Sequence, residues 1–206
     1  MNAKLNGIKV WPGILGSHRS TGLFGVEMGL AFGRKYMKLT GDTCANTPSH
    51  NFIIVKHKGQ LWIGDCVRPK AKLTSFKEYE AKIAAGEIRN VQLFEVNGVN
   101  RKRQAAAATW WMDNVLGQPY DSDAFFRLGL KVIFGDWFPK AAGKDWKWWC
   151  TEGNKDAYKN GARFDLYKNE NPTPFTHIKR WREGKMRLLE ADEVPEKFDR
   201  ETGNLI

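Results

Sequence analysis

Two strand-like runs, residues 52–56 and 60–67, are separated only by His57-Lys-Gly59. A break that short, ending in glycine, reads as a β-hairpin and leaves no length for the crossover a parallel pair requires. The middle of the chain is therefore committed to an antiparallel ladder. In such a pair the start of the first strand lies beside the end of the second. His50, which follows a Pro-Ser turn at the mouth of the first strand, thus comes within reach of Asp65, fifteen residues on. A carboxylate that holds one imidazole nitrogen and leaves the other free is the orientation a general base needs. A single histidine is more often an ordinary hydrogen-bonded residue, so the pair gains meaning only with a third group.

The flanking sequence supplies helices. Residues 21–38 carry Leu23, Phe24, Val26, Met28, Leu30 and Phe32 at helical spacing, although Gly25, Gly29 and Gly33 each cost about 1 kcal/mol relative to alanine. Ser75-Phe-Lys-Glu78 is a capping box opening a helix that runs to about Ala85 and stops at Gly86. Residues 91–96 read as a strand ended by Asn97-Gly98. In residues 104–116 Ala108, Trp111, Met112 and Val115 keep the spacing of one helix face, with Gly117 at its end. A very apolar stretch, 124–138, precedes Lys144-Asp-Trp-Lys-Trp-Trp149, and a polar, helical segment runs from Cys150 to about Gly161. Residues 171–174 form a loop and 185–189 a short strand. With no βαβ alternation, the reading is α+β: an antiparallel sheet packed against helices in a single domain, residues 1–190, with a charged tail at 191–206.

Composition narrows the function classes. A chain of 206 residues makes about one domain, and 42% hydrophobic with 27% charged content excludes wholesale disorder and collagen-like repeats. No apolar run reaches the roughly 18 residues of a membrane-spanning helix. The first residues show no basic start followed by an apolar stretch, so no signal peptide is expected. The expected setting is a cytoplasm, or a phage-encoded protein delivered by lysis or by a particle. Lysine and arginine exceed acidic residues by 33 − 23 = +10, and nine tryptophans accompany them. That balance suits an anionic partner surface, a cell wall or a lipid bilayer. The competing reading, a non-enzymatic nucleic-acid-binding or virion structural protein, is not favoured: the basic clusters at 68–72, 101–103 and 179–187 are scattered and no binding motif accompanies them.

Three cysteines without paired spacing make no disulfide framework. The four histidines do not meet them at zinc-ligand spacing, so no metal or cofactor is expected. One thiol remains available as a nucleophile. Cys150 follows three tryptophans in five residues and precedes Thr151-Glu152, where a helix start and a nearby imidazolium would favour the thiolate. Cys44, in a loop, and Cys66, beside Asp65, are the weaker candidates. Spacing permits a Cys–His–Asp site without choosing it.

Several segments, in order, resemble the circularly permuted NlpC/P60 proteins, the YiiX-like branch of the papain fold. Thr47-Pro-Ser-His-Asn-Phe-Ile-Ile-Val55 is similar to that branch's "SH-V-G-I" strand. Leu61-Trp-Ile-Gly-Asp65 is similar to the next strand, which carries its acidic residue. Gly117-Gln-Pro-Tyr-Asp121 resembles its "G-x-x-Y-D" turn, Trp149-Cys-Thr-Glu152 its "CSE" motif, and Pro12-Gly-Ile-Leu15 its opening without the aspartate. The resemblance spans roughly residues 11–180, with histidine before cysteine as the permutation requires. It implies a papain-like cysteine hydrolase with Cys150 as nucleophile, His50 as base and acid, and Asp65 as orienter. It implies further that Tyr120, Trp148 and Trp149 line the substrate cleft, and that the substrate is an amide of cell-wall peptide or a lipid acyl ester or amide. Three positions depart from the pattern: Thr151 replaces serine, Asn51 replaces a small apolar residue, and Asp65 stands where glutamate is common.

Overall fold

A computed structural model describes residues 3–121, 150–168 and 172–191. The strands are β1 (Lys4–Leu5), β2 (Ile8–Lys9), β3 (Leu15–Ser20), β4 (His50–His57), β5 (Gln60–Cys66), β6 (Ala71–Thr74), β7 (Ile88–Val96) and β8 (Met186–Leu189). The first two pair with each other. The rest form one sheet in the order β6-β5-β4-β3-β7-β8, every neighbour antiparallel. The anticipated hairpin is β4–β5. Its ladder ends at His57 opposite Gln60, and the two turn residues, Lys58 and Gly59, have φ of 47° and 81°. Positive φ at both positions gives the turn a twist that matches the strands it joins.

Side chains alternate across the sheet and both faces are covered, which explains the near-continuous apolar run of β4. Ile53 and Val55 join Leu15, Phe94 and Val96 on one face, in a core with Trp111, Tyr158 and Tyr167. Phe52 and Ile54 join Ile63 and Leu93 on the other, in a core with Leu5, Ile8 and Tyr79.

Five helices clothe this sheet among the described residues: α1 (Leu23–Thr40), α2 (Phe76–Ala84), α3 (Arg101–Asn114), α4 (Cys150–Asp156) and α5 (Thr176–Arg182). The glycines of α1 have a packing reason. A Cβ on Gly25 would lie 1.8 Å from the Ser20 carbonyl oxygen, so only glycine lets the helix leave β3 this tightly. Ser75 caps α2 by accepting the Glu78 N–H, as its motif requires. Helix α3 starts at Arg101, ahead of the expected 104, because Asn100 accepts the Arg103 N–H. The polar segment after Cys150 is helical: α4 passes into a π-turn at Ala157–Gly161. Its polarity is structural in part, since the buried Asn154 amide donates to the Phe52 carbonyl of β4 at 3.2 Å. The apolar stretch 124–138 lies outside the described residues, as does the tail beyond residue 191.

Candidate active site

The hairpin register decides which side chains meet. Ile53 faces Gly64 across β4–β5, so His50 and Asp65 fall on one face of the ladder as diagonal neighbours. His50 Nε2 hydrogen-bonds Asp65 Oδ1, and both residues are buried. That leaves Nδ1 for a second partner. Helix α4 packs against β4 and brings Cys150 to the ring, near enough to act on it both as a charge and through a hydrogen bond. The three groups predicted to meet, Cys150, His50 and Asp65, are thus brought together from the start of α4, the start of β4 and the end of β5.

Their electrostatics follow from this contact. Burial alone would push the His50 ring down, but the Asp65 carboxylate and the Cys150 sulfur outweigh it and move it up to about 10. Burial alone would raise the Cys150 thiol; His50, the Asn51 backbone N–H and the Thr151 hydroxyl turn the balance and hold it below its ordinary value. Asp65 is held below the usual carboxylate range by the same imidazole, against the opposing effect of burial. The arrangement favours a thiolate–imidazolium pair braced by a carboxylate.

The remaining thiols differ. Burial raises Cys66 well above a free thiol, and the Cys150 and Asp65 charges add to that, whereas Cys44 is exposed and away from the cluster. Tyr120 is half-buried against the core that holds Cys66 and Cys150, and burial with those nearby sulfurs raises its phenol. Trp148 and Trp149 lie outside the described residues.

Three features of the site were not read from the sequence. His18 of β3 faces His50 directly across β3–β4, with ring centroids 5.0 Å apart, and its Nδ1 lies 2.6 Å from the Tyr79 hydroxyl. Asn51 and Thr151, noted only as departures from a pattern, answer each other: the Asn51 amide donates to Thr151 Oγ1 at 3.0 Å. Ser17 and His177, from β3 and α5, continue that contact into the interior. Only the Asn51–Thr151 pairing left a trace in the sequence, as two polar residues at positions where apolar or smaller ones are usual.

The fold is that of a papain-like α+β protein built around an antiparallel sheet. No family model matches the chain, and no curated protein matches it. Among solved structures it is similar to the crystal structure of the metalloprotein YiiX from Escherichia coli O157:H7, with a TM-score of 0.50 and 18% identity over 84% of this chain and 82% of that one. At that identity the likeness is one of fold, and it is the YiiX-like fold that the ordered motifs implied. Among the described residues, no group of three or more His, Cys, Asp or Glu side chains is gathered as a metal ion would require. No described helix is long and apolar enough to cross a membrane.

Proposed function

We propose that this chain is a thiol hydrolase that cleaves an amide bond through Cys150, His50 and Asp65. The observation that carries the reading is the position of His50, bonded to Asp65 on one side and set against the Cys150 sulfur on the other. The Cys150 thiolate attacks the carbonyl carbon. His50 then passes its proton to the departing amine as the C–N bond breaks, leaving a thioester. In the second half His50 takes a proton from water, hydroxide adds to the thioester, and the thiolate leaves as the acid is released. Asp65 keeps the imidazole oriented and stabilises its charged form throughout. Tyr120 stands near the sulfur to support the site. The substrate that best fits the +10 charge and the fold is a peptide amide of an anionic cell wall.

A second substrate, a lipid acyl ester or amide, is favoured by one specific surface. On α1, Val26, Leu30 and Met37 share a face; Val26 is 51% and Leu30 83% exposed, and Arg34 and Lys38 flank the stripe. An apolar stripe edged with cations suits the boundary of an anionic bilayer.

One experiment separates these readings. Wild type and Cys150→Ala are incubated with purified peptidoglycan and with a lipid-ester panel, and products are read by mass spectrometry. Cys150-dependent muropeptide fragments support the first reading and Cys150-dependent fatty acid release the second. Identical product profiles for the two proteins on every substrate would overturn both.

A further inference from the structure

Behind Cys150 runs a buried series of polar groups that the hydrolysis itself does not use. Thr151 Oγ1 lies 3.7 Å from Cys150 Sγ. The Asn51 amide donates to Thr151 Oγ1 at 3.0 Å, and Ser17 Oγ lies 2.7 Å from Asn51 Oδ1. Ser17 Oγ is also 3.1 Å from His177 Nδ1, and the Tyr167 hydroxyl is 2.6 Å from His177 Nε2. Ser17, Asn51, Thr151, Tyr167 and His177 are all fully buried. They come from β3, β4, α4, α5 and the segment before α5, so the sheet and both helices converge on this line.

Proton counting gives the series a direction. A hydroxyl has one proton and a neutral imidazole one N–H. Ser17 gives its single proton to Asn51 Oδ1, so toward His177 its oxygen can only accept, which places the imidazole proton on Nδ1. The Asn51 amide donates to Thr151 Oγ1, so the Thr151 hydroxyl accepts there and keeps its proton free for the sulfur. At the far end Nε2 has no proton and must accept from Tyr167. Burial keeps both terminal groups neutral: it pushes His177 down to about 3 and raises the Tyr167 phenol well above its ordinary value. Every bond in the series therefore donates toward Cys150.

We propose that Tyr167, His177, Ser17, Asn51 and Thr151 form a one-way hydrogen-bond relay whose last donor holds Cys150 as a thiolate, with the His177 tautomer setting its direction. These are positioning residues, acting through Thr151 on the nucleophile. With the opposite tautomer, and the Asn51 amide turned over so that its NH2 faces Ser17, each bond reverses, Thr151 donates to Asn51 Oδ1, and the sulfur faces a lone pair that favours the neutral thiol. Hydrogen bonds in a low-dielectric interior polarise one another, so a remote member of such a series is felt at its end.

The inference rests on the thiol-hydrolase reading, and its test separates the two. In the wild type, nitrogen-15 NMR of His177 should show the neutral Nδ1–H tautomer, and an Nε2–H tautomer would overturn the relay with no substitution needed. Ultraviolet thiolate absorbance against pH should show the Cys150 transition moved up by about one pH unit in Thr151→Val, as expected for loss of one charge-assisted donor. Thr151→Ser should restore it. Tyr167→Phe, which changes nothing next to the sulfur, should move it the same way by less. A depressed wild-type transition left unmoved by Thr151→Val ends the relay and spares the hydrolase reading. A wild-type Cys150 that titrates as an ordinary thiol ends the hydrolase reading itself.

Discussion

His18 and His50 face each other across β3–β4 with ring centroids 5.0 Å apart, and their surroundings shift the two rings in opposite directions. Asp65 and Cys150 keep His50 protonated, whereas burial and the His50 charge push His18 down to about 3. A proton on both rings would set two cations against each other in a buried site, so His18 acts as a neutral neighbour tied to Tyr79.

Acid sensitivity follows from that neutrality. His18 and His177 are both pushed from 6.5 to about 3 by burial, so the unfolded chain binds protons that the folded chain does not. Their stabilisation is complete above pH 6.5 and is lost as pH falls from there toward 3, on the order of 1 kcal/mol per pH unit for each. The thermal unfolding midpoint should drop between pH 7 and pH 5. A midpoint that holds constant over that interval would contradict the buried neutral state of these rings.

Asp65→Asn should leave the fold intact and impair the chemistry. An amide of the same size fills the site but no longer supplies the charge that favours imidazolium, and its NH2 group competes for the ring nitrogen. Turnover on a Cys150-dependent substrate should fall by about 10²–10⁴-fold, the usual worth of a positioned acid–base group, with the unfolding midpoint nearly unchanged. Activity within a factor of two of wild type would remove Asp65 from the mechanism.

The parts of this molecule that were legible in its sequence are those whose partners lie close along the chain. The β4–β5 hairpin brings His50 and Asp65 together through a two-residue turn, and turn chemistry is local. The α2 cap and the apolar face of α3 are equally local. His18 was opaque because β3 reaches β4 only after the whole of α1 and a loop. His177 lies 160 residues from the Ser17 hydroxyl it faces, and α5 carries too few turns to show a periodicity. The short strands β1, β2 and β6 owe their pairing to neighbours rather than to alternation of their own. Asn51 and Thr151 were visible singly, but their shared hydrogen bond, across 100 residues, turns two departures into one compensated pair.

Selective alkylation should track the thiolate. Because His50 holds the Cys150 thiol below its ordinary value, iodoacetamide should modify Cys150 ahead of Cys44 and Cys66 near pH 7, and continue to do so at more acidic pH. Cys66 is as buried as Cys150 but should react far more slowly, since its thiol is raised well above the ordinary value where that of Cys150 is lowered. His50→Ala removes the cation beside the sulfur and should abolish the advantage of Cys150. Peptide mapping by mass spectrometry after timed alkylation checks all three thiols at once, and equal rates would sink the ion pair.

Gly16→Ala tests how tightly the sheet beneath the site is packed. Gly16 sits on β3 opposite Phe52, one residue from Ser17, and a Cβ there would lie 2.0 Å from the Phe52 ring. No rotamer of alanine relieves such a contact, so Phe52 must tilt into a core already filled by Tyr79, whose ring centroid is 5.3 Å away. Overpacking of this kind costs about 1–3 kcal/mol. The strain also falls on the β3–β4 register that sets Ser17 against Asn51 and His18 against His50. Gly16→Ala should therefore lower the denaturant midpoint and, in the fraction that remains folded, slow the alkylation of Cys150. Gly22→Ala is the control: nothing lies within 4 Å of its Cβ, and it should leave Cys150 alkylation unchanged. Equal behaviour of the two variants would mean that the sheet yields at Phe52 and that the geometry of the site does not depend on this contact.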